Sequence, residues 1–126
     1  MPSTTLHKPK SDQTRRPLPN CHDGEGALDC TEVLGHVDLV GRSLRFVHDD
    51  ILAPGVTIGV HTHTDDEEVY YILDGTGTMT LDGQTYAVGP GDVTVVFPGG
   101  RHSLANTGDT ELRMIVVAAG TNRSDE

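Results

Sequence analysis

Short runs rich in β-branched apolar residues, separated by turns containing Gly or Pro, fill the chain from about residue 27 onward. Evenly spaced runs of this kind predict short strands and therefore a β-sandwich or a barrel. The pair Asp82-Gly83 between two runs is a strong hairpin signal. No segment shows sustained helical periodicity, so the predicted fold class is all-β. The predicted strands span residues 56–63, 68–73, 77–81, 85–88, 93–97 and 112–118.

The first 20 residues differ from the rest of the chain. They contain four Pro, several Ser and Thr, almost no apolar side chains, and four basic residues against one acidic residue. Such a segment cannot bury enough apolar surface to order itself. We therefore predict a flexible arm over residues 1–20, a single domain over residues 21–120, and a short tail over residues 121–126.

Composition narrows the possible partners and the compartment. The chain has 126 residues and a formal net charge of −10, which argues against nucleic acid and anionic membranes as partners. No apolar run approaches the roughly 18 residues of a membrane span, and no apolar segment follows the basic N-terminus as in a secretory signal. We predict a cytoplasmic protein, in which Cys21 and Cys30 are ordinary free thiols.

Histidines and a glutamate form the strongest chemical signal. His61 and His63 are two residues apart on a predicted strand and so project from the same face. If the next strand pairs antiparallel with the first, Glu68 returns beside them, and His102 follows the turn at residues 98–100. Three imidazoles and a carboxylate suit one divalent transition metal ion, with Mn, Fe, Co, Ni and Zn all open. A His-x-His pair alone also occurs on solvated strand faces, so the pair by itself does not establish a metal site.

The frame around these residues resembles the cupin superfamily. The first cupin motif is a Gly, five residues, His-x-His, three or four residues, Glu, six residues and a Gly. Every fixed position of it is present here, at Gly55, His61, His63, Glu68 and Gly75. The resemblance covers roughly residues 40–120.

The second cupin motif is a Gly, five residues, Pro-x-Gly, two residues, His, three residues and Asn. The corresponding residues here are Gly91, Phe97, Gly99, His102 and Asn106. Phe97 stands where the family has Pro, and a Pro follows one residue later. This departure affects the rigidity of the turn. It does not affect the ligand His102, which is in its expected position. We expect Asn106 to serve the turn.

The resemblance implies a double-stranded β-helix, or jelly-roll barrel, with His61, His63, Glu68 and His102 as metal ligands. It also implies a small metal-dependent enzyme that acts on a carboxylate or oxygenated organic substrate, as a decarboxylase or a dioxygenase. Two alternatives stay open. One is a cyclase, isomerase or bond-forming enzyme of a natural-product pathway, and the other is a metal-bearing small-molecule binder without turnover.

Strand parity suggests which other side chains line the pocket. Tyr70 shares the face of Glu68 together with Ile72, so its hydroxyl is a candidate catalytic group, although a core aromatic is an equal alternative. His48 shares parity with Phe46 and is a second candidate, as an acid–base group or a support for the site, with an ordinary strand histidine as the alternative. The opposite, outward set on the same strands is predicted to be Val56, Ile58, Val60, Val69, Tyr71 and Leu73.

This outward apolar set is too large to be wholly solvated, so we predict a homodimer. We expect the region after residue 20 to contribute a strand or a clasp to the partner subunit. The segment 20–26 resembles a His-x-Gly-Glu-Gly loop that precedes the barrel in some small bacterial cupins. We interpret it as a turn that positions the arm.

Overall fold

Ten β-strands account for most of residues 4–120, which are the residues that the computed structural model describes. Two short 3-10 turns, Lys10–Asp12 and Cys21–Asp23, are the helical elements in this range. The strands are β1 (Thr14–Pro19), β2 (Ala27–Leu34), β3 (Leu44–Leu52), β4 (Thr57–Thr62), β5 (Glu67–Asp74), β6 (Gly77–Leu81), β7 (Gln84–Val88), β8 (Val93–Val96), β9 (Arg101–Ala105) and β10 (Leu112–Ala119).

The strands form two antiparallel sheets that face each other as a jelly-roll barrel. The larger sheet has the order β1-β2-β3-β10-β5-β8, and the smaller sheet has the order β4-β9-β6-β7. Neighbours in these sheets are far apart in the chain, as when β10 pairs with both β3 and β5. This topology confirms the predicted all-β jelly roll. No helix in the described part of the chain is long and apolar enough to cross a bilayer.

One end of the barrel is closed by apolar side chains from both sheets. Each is almost fully buried, and burial of a Leu or Ile side chain stabilises a fold by about 1.5–3 kcal/mol. The contributing strands are β3, β5, β6, β9 and β10, so this cluster joins the two sheets. Its most deeply buried members are Leu52, Ile72, Met79, Leu104, Leu112 and Met114.

The expected flexible arm over residues 1–20 is only partly what the structure shows. Thr14–Pro19 forms β1, which pairs antiparallel with β2 along its whole length. Leu18 packs against the core, and Arg15 forms an ion pair with Asp29 at 2.9 Å. An edge strand needs a partner on one side only and tolerates Pro, so the Pro-rich composition did not prevent pairing. The predicted tail, 121–126, lies outside the described residues.

A β-bulge in β4 changes which side chains face inward. Ile58 pairs with Leu104 and His61 pairs with His102, so three residues of β4 correspond to two of β9. Ile58 therefore faces the interior together with His61, and it is 3% exposed. The prediction that Val56 and Ile58 point outward is wrong, because it assumed an unbroken alternation along the strand. Val60 at the bulge does point outward.

Candidate metal centre

Strand pairing and a turn bring three histidines together. They are His61 of β4, His63 just after this strand, and His102 of β9. His61 lies directly opposite His102 on neighbouring strands. His63, just beyond the end of β4, donates its backbone N–H to Gly100 O at 3.0 Å and accepts from Gly99 N. Gly99 has a φ of +95°, a conformation that favours glycine. The turn after β8 therefore holds the first pair of histidines beside the third.

Four side-chain atoms converge on one point inside the barrel. The Nε2 atom of His102 lies 2.9 Å from His61 Nε2, 3.1 Å from His63 Nε2 and 3.1 Å from Glu68 Oε1. Glu68 Oε1 is buried and has no hydrogen-bond partner within the protein. Ligands that bind an ion at about 2.1 Å in adjacent positions lie about 3 Å apart. The spacing of these four atoms therefore fits the ligand set of one divalent ion.

Hydrogen bonds on the far side of the imidazoles orient two of the ligands. His61 donates from Nδ1 to Gly59 O at 2.8 Å, and His63 donates from Nδ1 to Asp66 Oδ1 at 2.9 Å. Each bond leaves the Nε2 lone pair directed at the centre, which is how outer contacts tune metal ligands. Asp66 is buried and was not identified from the sequence, where it lay within an acidic turn.

The electrostatics of the cluster also favour a cation at its centre. Burial raises the pKa of Glu68, but the nearby imidazoles of His102, His61 and His63 outweigh it and hold that pKa well below its usual range. Burial lowers the pKa of His63, but the neighbouring carboxylates of Glu68 and Asp66 raise it overall to about 9. The buried carboxylate thus draws positive charge to itself. A divalent ion satisfies the same demand with neutral imidazoles.

A fourth histidine, which sequence reasoning did not assign to the site, supports His61 from outside. His22 stacks on the His61 ring, with centroids 3.6 Å apart and planes 10° from parallel. Its loop lies so close to β4 that a Cβ on Gly59 would be 1.9 Å from His22 O, and one on Gly24 would be 2.2 Å from Thr57 O. The glycines of segment 20–26 permit this contact between the loop and β4. They were the feature of the sequence from which the contact could have been predicted.

The metal centre opens into a cavity of about 570 Å³. Tyr70 lines it as predicted, with its ring 4.7 Å from that of His102, and burial raises the pKa of its hydroxyl well above the usual range. His48 also lines the cavity and stacks on Phe46 at 4.1 Å. Its position is across the sheet from Tyr70, because Val116 of β10 pairs with both.

Other cavity residues were missed, or named without a position, from the sequence. Arg45 is buried and lines the cavity, a position that the sequence pattern did not predict. Cys30 and Asp50 lie beside His48, a grouping that depends on the register of β2 and β3. The expectation for Asn106 is confirmed, since its amide donates to Leu52 O and Thr110 O and accepts from Gly108 N around a turn.

Comparison with known proteins defines the class. Residues 50–118 match the family described as Cupin domain (Cupin_2), so the chain belongs to the cupin family. It is 31% identical to the oxalate-binding protein of Thermotoga maritima over 107 residues, covering 85% of this chain and 88% of the relative. It is also 28% identical over 67 residues to a 5-nitrosalicylic acid 1,2-dioxygenase of Bradyrhizobium, covering 53% and 32% of the two chains.

Solved structures agree with this placement. A crystal structure described as a predicted oxalate decarboxylase of Thermotoga maritima superposes with a TM-score of 0.83 at 29% identity, covering 91% of this chain and 99% of the other. A cupin 2 conserved barrel domain protein from Salinispora arenicola superposes with a TM-score of 0.67 at 22% identity, covering 94% and 90%. The second likeness concerns the fold alone.

Proposed function

We propose that this cupin is a metal-dependent enzyme that acts on a small carboxylate or oxygenated organic acid, as a decarboxylase or a dioxygenase. The observation that carries the proposal is the convergence of three Nε2 atoms and one carboxylate oxygen at the edge of a cavity. His61, His63, Glu68 and His102 would hold one ion from the series Mn, Fe, Co, Ni and Zn. When bound, such an ion supplies a Lewis acid or an anchor for dioxygen.

The protein's own residues bind and orient the substrate in this proposal. Arg45 supplies a buried positive charge on the cavity wall, which suits a carboxylate. The hydroxyl of Tyr70, kept protonated by burial, donates a hydrogen bond beside His102. His48 serves as the acid–base group on the opposite wall, and Phe46 and Ile58 exclude water.

The relatives support the carboxylate class and also favour a second candidate. Oxalate appears in two of the names that the comparisons give, an oxalate-binding protein and a predicted oxalate decarboxylase, both of Thermotoga maritima. The first of these names favours a metal-bearing binder without turnover. A further relative, 33% identical over 76 residues, is a polyketide synthase CurC of Streptomyces cyaneus, in line with the natural-product alternative.

One set of measurements separates these candidates. Metal content is determined on purified and reloaded protein, and oxalate with a panel of other carboxylates is then tested for binding and turnover, with and without oxygen. The proposal predicts turnover that disappears in His61→Ala and Glu68→Gln while both variants stay folded. Full activity in these variants would reject the metal-dependent proposal. Carboxylate binding without turnover, at unchanged affinity in His61→Ala, would establish a binder in which the ion is incidental.

We also propose a homodimer, for which exposed apolar residues on the outer face of the larger sheet are the support. Tyr71 and Leu73 of β5 are exposed there, and Val93 and Val95 of neighbouring β8 extend the patch. Light scattering at micromolar concentration tests the assembly, and a monomer would reject it. The clasp by the region after residue 20 and the cytoplasmic location stay predictions.

A further inference from the structure

A second group of potential metal ligands lies on the cavity wall formed by β2 and β3. Cys30 and Asp50 are directly opposite each other in the pairing of these strands. His48 precedes Asp50 by two residues and so projects from the same face of β3. The strand register therefore brings a thiol, an imidazole and a carboxylate together inside the barrel.

The geometry of this group is that of a ligand set. One ligand atom from each of Cys30, His48 and Asp50 lies within 4.8 Å of the other two. Asp50 is 5% exposed, and its Oδ1 atom is buried without a hydrogen-bond partner in the protein. A buried carboxylate oxygen is costly unless something satisfies it, and a cation among these three groups would do so.

The group is separate from the cupin ligands. Val116 of β10 pairs with His48 on one side and with Tyr70 on the other, so two strand spacings, about 10 Å, separate those two positions. His48 and Asp50 line the same cavity as His61, His63 and Glu68. An ion beside His48 would therefore be held by a set of residues that shares no member with the cupin ligands.

We propose that Cys30, His48 and Asp50 form a second cation site, suited to Zn²⁺ and chemically similar ions such as Co²⁺. Thiolate, imidazole and carboxylate are the three ligand types that zinc takes in proteins, and three protein ligands leave a fourth position open to the cavity. A thiolate and a carboxylate also balance the charge of a divalent ion. On binding, the proton of the Cys30 thiol passes to solvent as the metal–sulfur bond forms. While an ion is bound there, His48 is a ligand and does not act as an acid–base group, and the site does not depend on the proposed reaction.

The thiol provides a spectroscopic test that the cupin centre cannot mimic, because the cupin centre has no sulfur ligand. Metal-free protein is titrated with Co²⁺ under reducing conditions, and the near-ultraviolet thiolate-to-cobalt charge-transfer band is recorded. We expect the band to appear and binding to saturate at about two ions per chain rather than about one. Saturation at one ion without a thiolate band in the wild-type protein would overturn the proposal.

Matched variants locate the sulfur. Cys30→Ser should lose the band and one ion, whereas Cys21→Ser, which alters the free thiol that lines the cavity, should keep both. Asp50→Asn, nearly identical in shape, should weaken the second binding event and leave the first unchanged. His61→Ala should keep the band and lose the cupin ion. A band that survives in Cys30→Ser and vanishes in Cys21→Ser would also overturn the assignment.

Discussion

The two ends of the barrel are built by the same strands but have opposite chemistry. β5 carries Glu68 at one end and Ile72 further along, and β9 carries His102 followed by Leu104. At the closed end the side chains are apolar and almost fully buried. At the open end several buried groups are polar, and Glu68 Oε1 and Asp50 Oδ1 have no hydrogen-bond partner in the described part of the protein.

The difference shows how one scaffold divides two tasks. The closed end supplies the hydrophobic free energy that keeps the strands in register. The open end places a carboxylate and three imidazoles in a position that is costly until a cation arrives. Changes at the closed end should therefore alter folding, and changes at the open end should alter binding with little loss of stability.

The largest expected effect tests the closed end. Ile72→Ala should lower the free energy of unfolding by about 2–5 kcal/mol, because it leaves a cavity where Ile72 is 1% exposed. Leu73→Ala, on the adjacent outward face, should change stability by only about 0.5 kcal/mol. Denaturant unfolding of metal-free protein measures both, and equal effects would mean that β5 does not divide inside from outside as described.

The second effect concerns the open end. At a free ion concentration of 100 times Kd, a divalent metal should stabilise the wild-type protein by about 2.7 kcal/mol. Glu68→Gln should lose most of this gain, and without metal it should be somewhat less stable than wild type, since the carboxylate that the three imidazoles stabilise is removed. Glu67→Gln, on the exposed neighbour, should keep the gain. The melting temperature with and without Zn²⁺ measures this stabilisation. A shift in Glu68→Gln as large as that of wild type would contradict the assignment of Glu68 as a metal ligand.

The third test uses pH on two adjacent carboxylates of β3 in metal-free protein. Burial raises the pKa of Asp50 from 3.8 to about 7. Between those values the unfolded chain loses its proton first, so wild-type stability should fall relative to Asp50→Asn as pH rises from about 4 to 7, then level off.

Asp49 should show the reverse dependence. Its hydrogen bond with Arg113 lowers its pKa, so its contribution is present above the unfolded pKa of 3.8 and is lost as pH falls through the lower folded value. Stabilities of Asp50→Asn and Asp49→Asn, measured from about pH 2 to pH 8, should thus diverge from wild type in opposite directions as pH rises. Parallel curves would mean that Asp50 is not buried in the cavity wall.

The smallest expected effect concerns the loop over the metal centre. His22→Ala removes the ring stacked on His61 and should weaken metal binding by about 0.5–1.5 kcal/mol. His22→Phe should restore most of the affinity, because it keeps an aromatic face. His36→Ala, another cavity-lining histidine, should change nothing. Calorimetric titration with Zn²⁺ measures these affinities. An unchanged Zn²⁺ affinity in His22→Ala would mean that the stacked ring does not contribute to metal binding.

The sequence was most informative where structure depends on local spacing. The four candidate ligands lie within two short motifs, and the assignment of inward Glu68, Tyr70 and Ile72 held because β5 alternates without a break from Glu68 to Ile72. The assignment failed at Ile58 because β4 contains a bulge, where Gly59 lies against the distant loop around His22. Local alternation contains no information about such a contact.

The remaining differences come from pairing between distant segments. β1 was not predicted, because amino-acid composition indicates only how much apolar surface a segment can bury by itself. This strand is ordered instead by its backbone hydrogen bonds to β2. Asp50 and Cys30 became neighbours only through the register of β2 and β3, which are joined by the nine residues 35–43. The family resemblance was enough to predict the candidate metal ligands. The residues on the opposite wall of the cavity could be identified only from the structure.

The bulge at Gly59 and Val60 also determines how β4 responds to insertions and deletions. Substituting Val60, which is 63% exposed, alters one side chain on the surface. Deleting it would remove the bulge and leave Ile58 and His61 two residues apart, and residues two apart on a regular strand point to the same face. A one-residue deletion at the bulge should therefore keep both side chains facing the interior. Deleting Thr62, by contrast, would turn His61 and His63 to opposite faces, so the tolerance of a single-residue deletion in this segment should depend on whether it falls at the bulge.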